Sequence, residues 1–153
     1  MKERKRLVKK LDALCRKILL KRDVVFGDCF RCISCKKLLP IVSSNVGHFI
    51  SRKCFALRWD LRNIHLQCVH CNYRKSGNYG EYRRALLERY GEAVVDWMET
   101  IGKLPPAYSC FDLELLVKEL KQELKKYGEF NGNKETKKQR RVNDNSRNSG
   151  ENC

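Results

Sequence analysis

The sequence predicts an α+β fold: a ββα-metal core in which two short strands and a helix close on a structural four-cysteine zinc site, flanked by an N-terminal and a C-terminal helix. Three observations predict it. First, two CxxC knuckles, Cys32/Cys35 and Cys68/Cys71, are separated by 32 residues. Cysteines three positions apart can turn both sulfurs toward one point, and two such pairs supply the thiolates of a closed tetrahedral zinc site. Second, apolar alternation over residues 46–50 and again over 63–67 marks two short strands between the knuckles. Third, leucine stripes at helical spacing occupy both ends of the chain.

Composition bounds the partners. At 153 residues the chain suffices for one domain with a modest core plus extensions. Its 33 Lys+Arg against 18 Asp+Glu give a formal charge of +15, which suits a polyanion, nucleic acid first and an anionic membrane surface second. No apolar run approaches the roughly 20 residues that cross a bilayer, and no signal-type stretch follows the basic N-terminus. The expectation is a cytoplasmic protein with no membrane span. Nine cysteines without a secretory signal favour metal chemistry over disulfides.

Residues 1–27 read as a basic amphipathic helix, with Leu7, Leu11, Leu14 and Ile18 as its stripe and Lys and Arg around the rest. The stripe packs inward; the basic face is either solvated or set against phosphates. Residues 28–102 form the zinc-stabilised domain. The helical pattern itself runs from Lys5 to about Arg22, 24–40 read as a connection into the domain and its first knuckle, and the first strand places Val46, His48 and Ile50 on one face. Ala56, Leu57 and Trp59 pack near the core, and the second strand leads into Cys68. After Cys71 a helix is expected, with Asn72 near its start and Arg74 and Lys75 in its first turns. Gly77 and Gly80 punctuate the chain before a helix over 81–90, and Gly91 precedes another over 92–101. Residues 103–128 carry the C-terminal helix, opened by a Ser109/Asp112 capping box, lined by Leu113, Leu116, Leu120 and Leu124, and closed by Gly128. Residues 129–153 read as a disordered basic tail containing the cationic run 137–141.

The chemistry lies between and beside the knuckles. The order is CxxC, twelve residues, His48, fourteen residues, Asn63, four residues, CxxC, Asn72. Phosphodiester hydrolysis needs a base for water and a divalent cation for the developing charge. A neutral imidazole can serve as that base, and an asparagine oxygen suits a hard cation such as Mg²⁺ or Mn²⁺. Against this, His48 can be an ordinary strand histidine, and Asn63 and Asn72 turn and cap residues. Cys29 also forms a CxxC with Cys32, so the first pair has two registers. His65 is expected to pack or bond locally, and His70 to be exposed. Arg52, Arg74, Lys75, Arg83 and Arg84 flank the site and suit phosphate contacts through planar or point charges.

The order resembles HNH endonucleases of the His-Me finger superfamily that carry a four-cysteine zinc site. Gly47-His48-Phe49-Ile50-Ser51-Arg52, Asn63-Ile64-His65-Leu66-Gln67-Cys68, Cys71-Asn72 and Ser76-Gly77-Asn78-Tyr79-Gly80-Glu81-Tyr82 are more closely similar to the lambdoid phage NinG (Rap) recombination protein family, over roughly residues 5–100. The resemblance implies a structure-specific endonuclease on branched recombination DNA of Holliday-junction or D-loop type, in a bacterial host cell, with a homodimer expected if a four-way junction is cut symmetrically. It places the zinc pair at Cys32/Cys35 and makes His48 the general base, Asn63 the residue that orients it, and Asn72 a catalytic-metal position. Gly47 departs from the pattern, since many such enzymes carry an aspartate or histidine ligand there. The departure leaves Asp60 or Glu81 as substitutes, and it leaves room for a noncatalytic, zinc-containing DNA-binding protein.

Overall fold

The computed structural model describes residues 1–103 and 108–132, with the side chains of the last five of these left aside. Helix α1 (Lys2–Arg22) contains no glycine or proline and buries the predicted stripe, with Cys15 and Leu19 beside it. It ends at Asp23, whose carboxylate accepts from Arg22 Nε at 2.6 Å and from the Leu66 amide at 3.2 Å. The helix terminus is thereby fastened to the centre of the fold.

Strands β1 (Val24–Phe26), β2 (Cys29–Arg31) and β3 (Leu38–Pro40) form an antiparallel sheet in that order. The sequence reading has only a connection here, because three-residue strands are too short to show alternation. The first knuckle is the β2–β3 turn: Cys32 and Lys37 pair through the backbone, and Lys36 adopts φ 60. Strands β4 (Ser44–His48) and β5 (Ile64–Cys68) make a separate antiparallel ribbon, with Gly47 opposite His65 and His48 opposite Ile64. Residues directly opposite share a face. One face therefore carries His48, Ile64 and Leu66, and the other Gly47, His65 and Gln67.

The helix expected after Cys71 is a single wide turn, His70–Arg74, closed by the Lys75 amide on the His70 carbonyl five residues back at 3.0 Å. Asn72 sits in the middle of it rather than at a helix start. Ser76, Gly77 and Asn78 then all take positive φ and reverse the chain into α2 (Tyr79–Tyr90). Helix α3 (Glu92–Ile101) follows Gly91, whose φ of 80 suits glycine. Helix α4 (Cys110–Gly132) opens on the predicted capping box: the Ser109 amide donates to Asp112 Oδ2 at 2.7 Å and the Asp112 amide to Ser109 Oγ at 3.2 Å. It runs past Gly128, since an interior glycine costs a helix only about 1 kcal/mol and does not by itself end it. The tail expected over 129–153 lies outside the described residues apart from the end of α4.

Two apolar clusters flank the ribbon. The α1 stripe packs with Ile64, Leu66, Trp59 and the Leu113, Val117 and Leu120 face of α4. Phe49, Leu57, Tyr82, Leu86, Val95 and Met98 form the other, under α2 and α3. Among the described residues no helix is long and apolar enough to cross a membrane.

Candidate active site

The two knuckles converge. The Sγ atoms of Cys32, Cys35, Cys68 and Cys71 all lie within 4.8 Å of one another, and Cys35 and Cys68 are 3.9 Å apart. A tetrahedron with metal–sulfur bonds of about 2.3 Å has edges of about 3.8 Å, so the four sulfurs can hold one zinc ion. All four thiols are free, and Cys29, on β2, is not part of the group. Backbone amides already point at the sulfurs: the Cys68 amide donates to Cys32 Sγ at 3.3 Å and the Cys71 amide to Cys68 Sγ at 3.4 Å. Burial pushes the Cys71 thiol up to about 12, so this thiolate needs a cation to stabilise it.

His48 stands at the end of β4, half-buried. Its Nε2 lies 3.1 Å from the Arg58 carbonyl oxygen. A carbonyl only accepts, so Nε2 carries the proton and Nδ1 keeps the lone pair. Burial pushes the imidazolium below its usual range; the bond to the Arg58 carbonyl opposes this, the charges of Arg58 and Arg52 add to it, and the net shift is downward, leaving the ring neutral near pH 7.

Asn63 explains why that carbonyl is in place. It is fully buried and uses its whole amide: Nδ2 donates to Ile50 O at 3.0 Å and to Leu57 O at 2.9 Å, and Oδ1 accepts from the Ile50 amide at 2.7 Å. Both ends of the loop 50–57 are thus stapled, and the next residue presents its carbonyl to His48. The clamp is local in sequence but its consequence is registered on another strand.

A cleft of about 570 Å³ opens beside the ring and brings His48, Arg52 and Asn72 together with Asn45, Asp12 and Arg58. Arg52, Arg74 and Lys75 are exposed and enter no ion pair among the described residues. Arg83 differs: it faces α3 and pairs with Glu99 at 2.9 Å and Asp96 at 3.2 Å, so its charge is spent within the fold. Arg84 pairs with Glu81 one turn earlier at 2.9 Å. Asp60 likewise pairs with Arg62, and neither Asp60 nor Glu81 lines the cleft. The carboxylate that does line it, Asp12, comes from α1, and neither it nor Arg58 belongs to a motif that the sequence alone marks out. The available signal was an acid next to the buried stripe of an otherwise basic helix.

Gly47 has its own reason. A Cβ there would meet Gln67 Oε1 at 2.5 Å and Gln67 Cβ at 2.9 Å. Gln67 is fixed, because its Nε2 donates to Ser34 Oγ at 2.7 Å, inside the first knuckle, and to Gly77 O at 2.5 Å, after the second. The position that could carry a ligand is closed by an amide that ties the two knuckles together.

A family model described as "Bacteriophage Lambda NinG protein" matches residues 1–131. The chain is 47% identical over 73 residues to Protein ninG of Salmonella phage P22, a stretch covering 47% of this chain and 36% of that protein. It is 44% identical over 70 residues to Protein ninG of Escherichia phage 933W, and 43% over 70 to that of Escherichia phage lambda, each covering 45% of this chain and 34% of the relative. The aligned stretch thus spans about a third of the length of these relatives. No solved structure matches the chain. The family match runs from α1 through both knuckles and the His48 ribbon to the last turns of α4, and the chain belongs to the NinG family.

Proposed function

We propose that the chain is a metal-dependent endonuclease of the HNH, His-Me finger type that cuts branched recombination DNA, such as Holliday junctions or D-loops. The observation that carries this reading is the His48 arrangement. A buried asparagine staples a loop, the loop presents a carbonyl, the carbonyl holds the proton on Nε2, and the Nδ1 lone pair is left for the cleft. A histidine serving only to pack has both nitrogens satisfied, as His65 does.

In this reading His48 Nδ1 takes a proton from water as the water oxygen bonds to phosphorus and the bond to the leaving oxygen breaks. Asn72, whose side chain makes no hydrogen bond to another described residue, would hold a magnesium or manganese ion together with substrate phosphate oxygens and water. Such an ion, when bound, neutralises the nonbridging and leaving oxygens. Arg52, Arg74 and Lys75 supply phosphate contacts that are blind to base identity, as recognition of DNA shape requires. Zinc in the four-cysteine cluster would hold β5, and through it the His48 strand, against the turn carrying Asn72.

A second reading has an observation behind it. Gly47 offers no ligand and Asp12 is already engaged, so the cleft has few oxygen donors for a catalytic ion. A noncatalytic zinc module that binds DNA in phage recombination fits those facts. One panel separates the two: linear, flap, three-way and four-way DNA with magnesium, manganese or EDTA, for wild type and His48→Ala. Nicking of branched DNA that needs the divalent ion and vanishes in the variant supports the nuclease. Salt-sensitive binding with no metal-dependent nicking establishes the module instead.

A further inference from the structure

Helix α1 reaches the site as well as the core. Asp12 Oδ2 accepts from Arg58 Nη2 at 2.7 Å, and Oδ1 accepts from Arg58 Nε at 3.1 Å and from Trp59 Nε1 at 2.8 Å. One turn on, Cys15 Sγ lies 4.0 Å from the Trp59 carbonyl, and Arg16 donates to Ser44 O at 3.1 Å and Ser44 Oγ at 2.8 Å. Positions 12, 15 and 16 lie on one helix face. That face grips both the residue whose carbonyl holds His48 and the first residue of the strand that carries His48.

The grip on Arg58 is specific. Arg58 is 8% exposed, and its guanidinium is bracketed by the rings of Phe55 and Trp59 at 5.4 Å each. A buried guanidinium needs a charged, two-pronged acceptor, and a neutral replacement leaves a costly unpaired cation. With both ends of the Arg58 side chain fixed, its backbone has little freedom to turn the carbonyl away from the ring.

We propose that Asp12 is a positioning residue for His48: through Arg58 and Trp59 it fixes the carbonyl that keeps the proton on Nε2 and turns Nδ1 to the cleft. Asp12 need not touch substrate. The competing role is docking alone, in which the ion pair holds α1 on the core and the ring is indifferent to it. The kinetic part rests on the reading of His48 as a base; the tautomer part does not.

The test uses the full chain, loaded with zinc and labelled with ¹⁵N-histidine, which has three resonance sets to assign. Long-range ¹H–¹⁵N spectra at pH 8 report the His48 tautomer for wild type, Asp12→Asn, Asp12→Glu and Arg58→Lys. Glu3→Gln, which breaks an exposed pair on the same helix, is the control. Positioning predicts one Nε2–H tautomer in wild type and in the control, and a mixture in Asp12→Asn and Arg58→Lys. Cleavage of branched DNA with magnesium then shows kcat reduced about 10- to 100-fold with KM within twofold, and Asp12→Glu recovers part of it. An unchanged tautomer in Asp12→Asn, with only the melting temperature lowered, overturns the proposal. Should wild type not cut at all, the nuclease reading falls while the tautomer still decides the role of Asp12. Should Asp12→Asn fail to fold, Arg58→Lys carries the same decision, because it keeps the charge and the carbonyl and removes only the fork.

Discussion

His48 and His65 are diagonal neighbours on one ribbon, one on each face, and their surroundings are opposites. His65 is 1% exposed and fully bonded. Tyr82 gives its hydroxyl proton to the Gly47 carbonyl at 3.0 Å, so its oxygen accepts from His65 Nδ1 at 3.2 Å, and Tyr90 donates to Nε2 at 3.1 Å. Burial, with Arg22 and Arg89 near, pushes this ring down to about 2. His48 has one nitrogen tied and the other left to a cleft that also holds Asn72 and Arg52. A histidine with both nitrogens satisfied is a structural part; one with a single nitrogen fixed and the other left to a cleft has a lone pair available, which is what the proposed role of His48 as a base requires.

The sharpest test of this contrast exchanges the two losses. His48→Ala is expected to lower cleavage by about 10²- to 10⁴-fold, the usual worth of a general base, with zinc content and melting temperature nearly unchanged. His65→Ala should do the reverse, costing about 3 kcal/mol in a denaturant melt through a cavity and the loss of the acceptor for the Tyr90 hydroxyl, while Tyr82 keeps its bond to the Gly47 carbonyl. Equal stability losses with equal activity losses would erase the distinction between the faces.

Asn63→Asp links the faces to the loop. It replaces two N–H donors with an oxygen aimed at the Ile50 and Leu57 carbonyls, and should cost about 3 kcal/mol in urea unfolding while also freeing the His48 ring. Activity lost without any loss of stability would mean that Asn63 acts on substrate directly. Gly47→Asp sharpens the comparison from the other side. It restores a ligand type beside the base but drives a side chain into Gln67, so a destabilisation of about 1–3 kcal/mol and no gain in metal-dependent rate are expected. A faster enzyme would show that the Gln67 bridge is dispensable.

The smallest effect is in acid. The folded pKa of His65 lies far below the unfolded value of about 6.5, so below that pH the unfolded chain binds the proton and the native one does not. Stability from this group is fully present above about pH 6.5 and falls by up to about 1.4 kcal/mol per pH unit below it. Denaturant midpoints at pH 7, 6 and 5 should show that slope in wild type, and a shallower one in His65→Gln. An unchanged slope in the variant would assign the acid sensitivity to other groups.

Much of this was legible as pattern. The leucine stripe of α1 and the capping box of α4 follow from helical period and cap chemistry, and the knuckle pair follows from spacing, as their burial and bonding show. The three-residue strands β1 to β3 leave no period to read, and the helix expected after Cys71 is present only as the one wide turn His70–Arg74, because Ser76, Gly77 and Asn78 reverse the chain before it can continue. Arg83 was equally unreadable: on the sequence it is one more cation near the site, whereas in the fold α3 places Glu99 and Asp96 against it.

Residue type and spacing along the chain therefore determined the family, the two knuckles and the identity of the candidate base, while the fold decided that Cys32 pairs with Cys35 rather than Cys29 in the four-cysteine cluster. The tertiary structure decided which nitrogen of that base is free, why residue 47 is glycine and which carboxylate enters the cleft. The physical reason is range. Periodicity and CxxC spacing act within a few residues and are written locally, while His48 answers to a carbonyl ten residues on, Gly47 to an amide twenty residues on, and Arg58 to a carboxylate 46 residues back. Such pairings exist only once packing has brought the segments together.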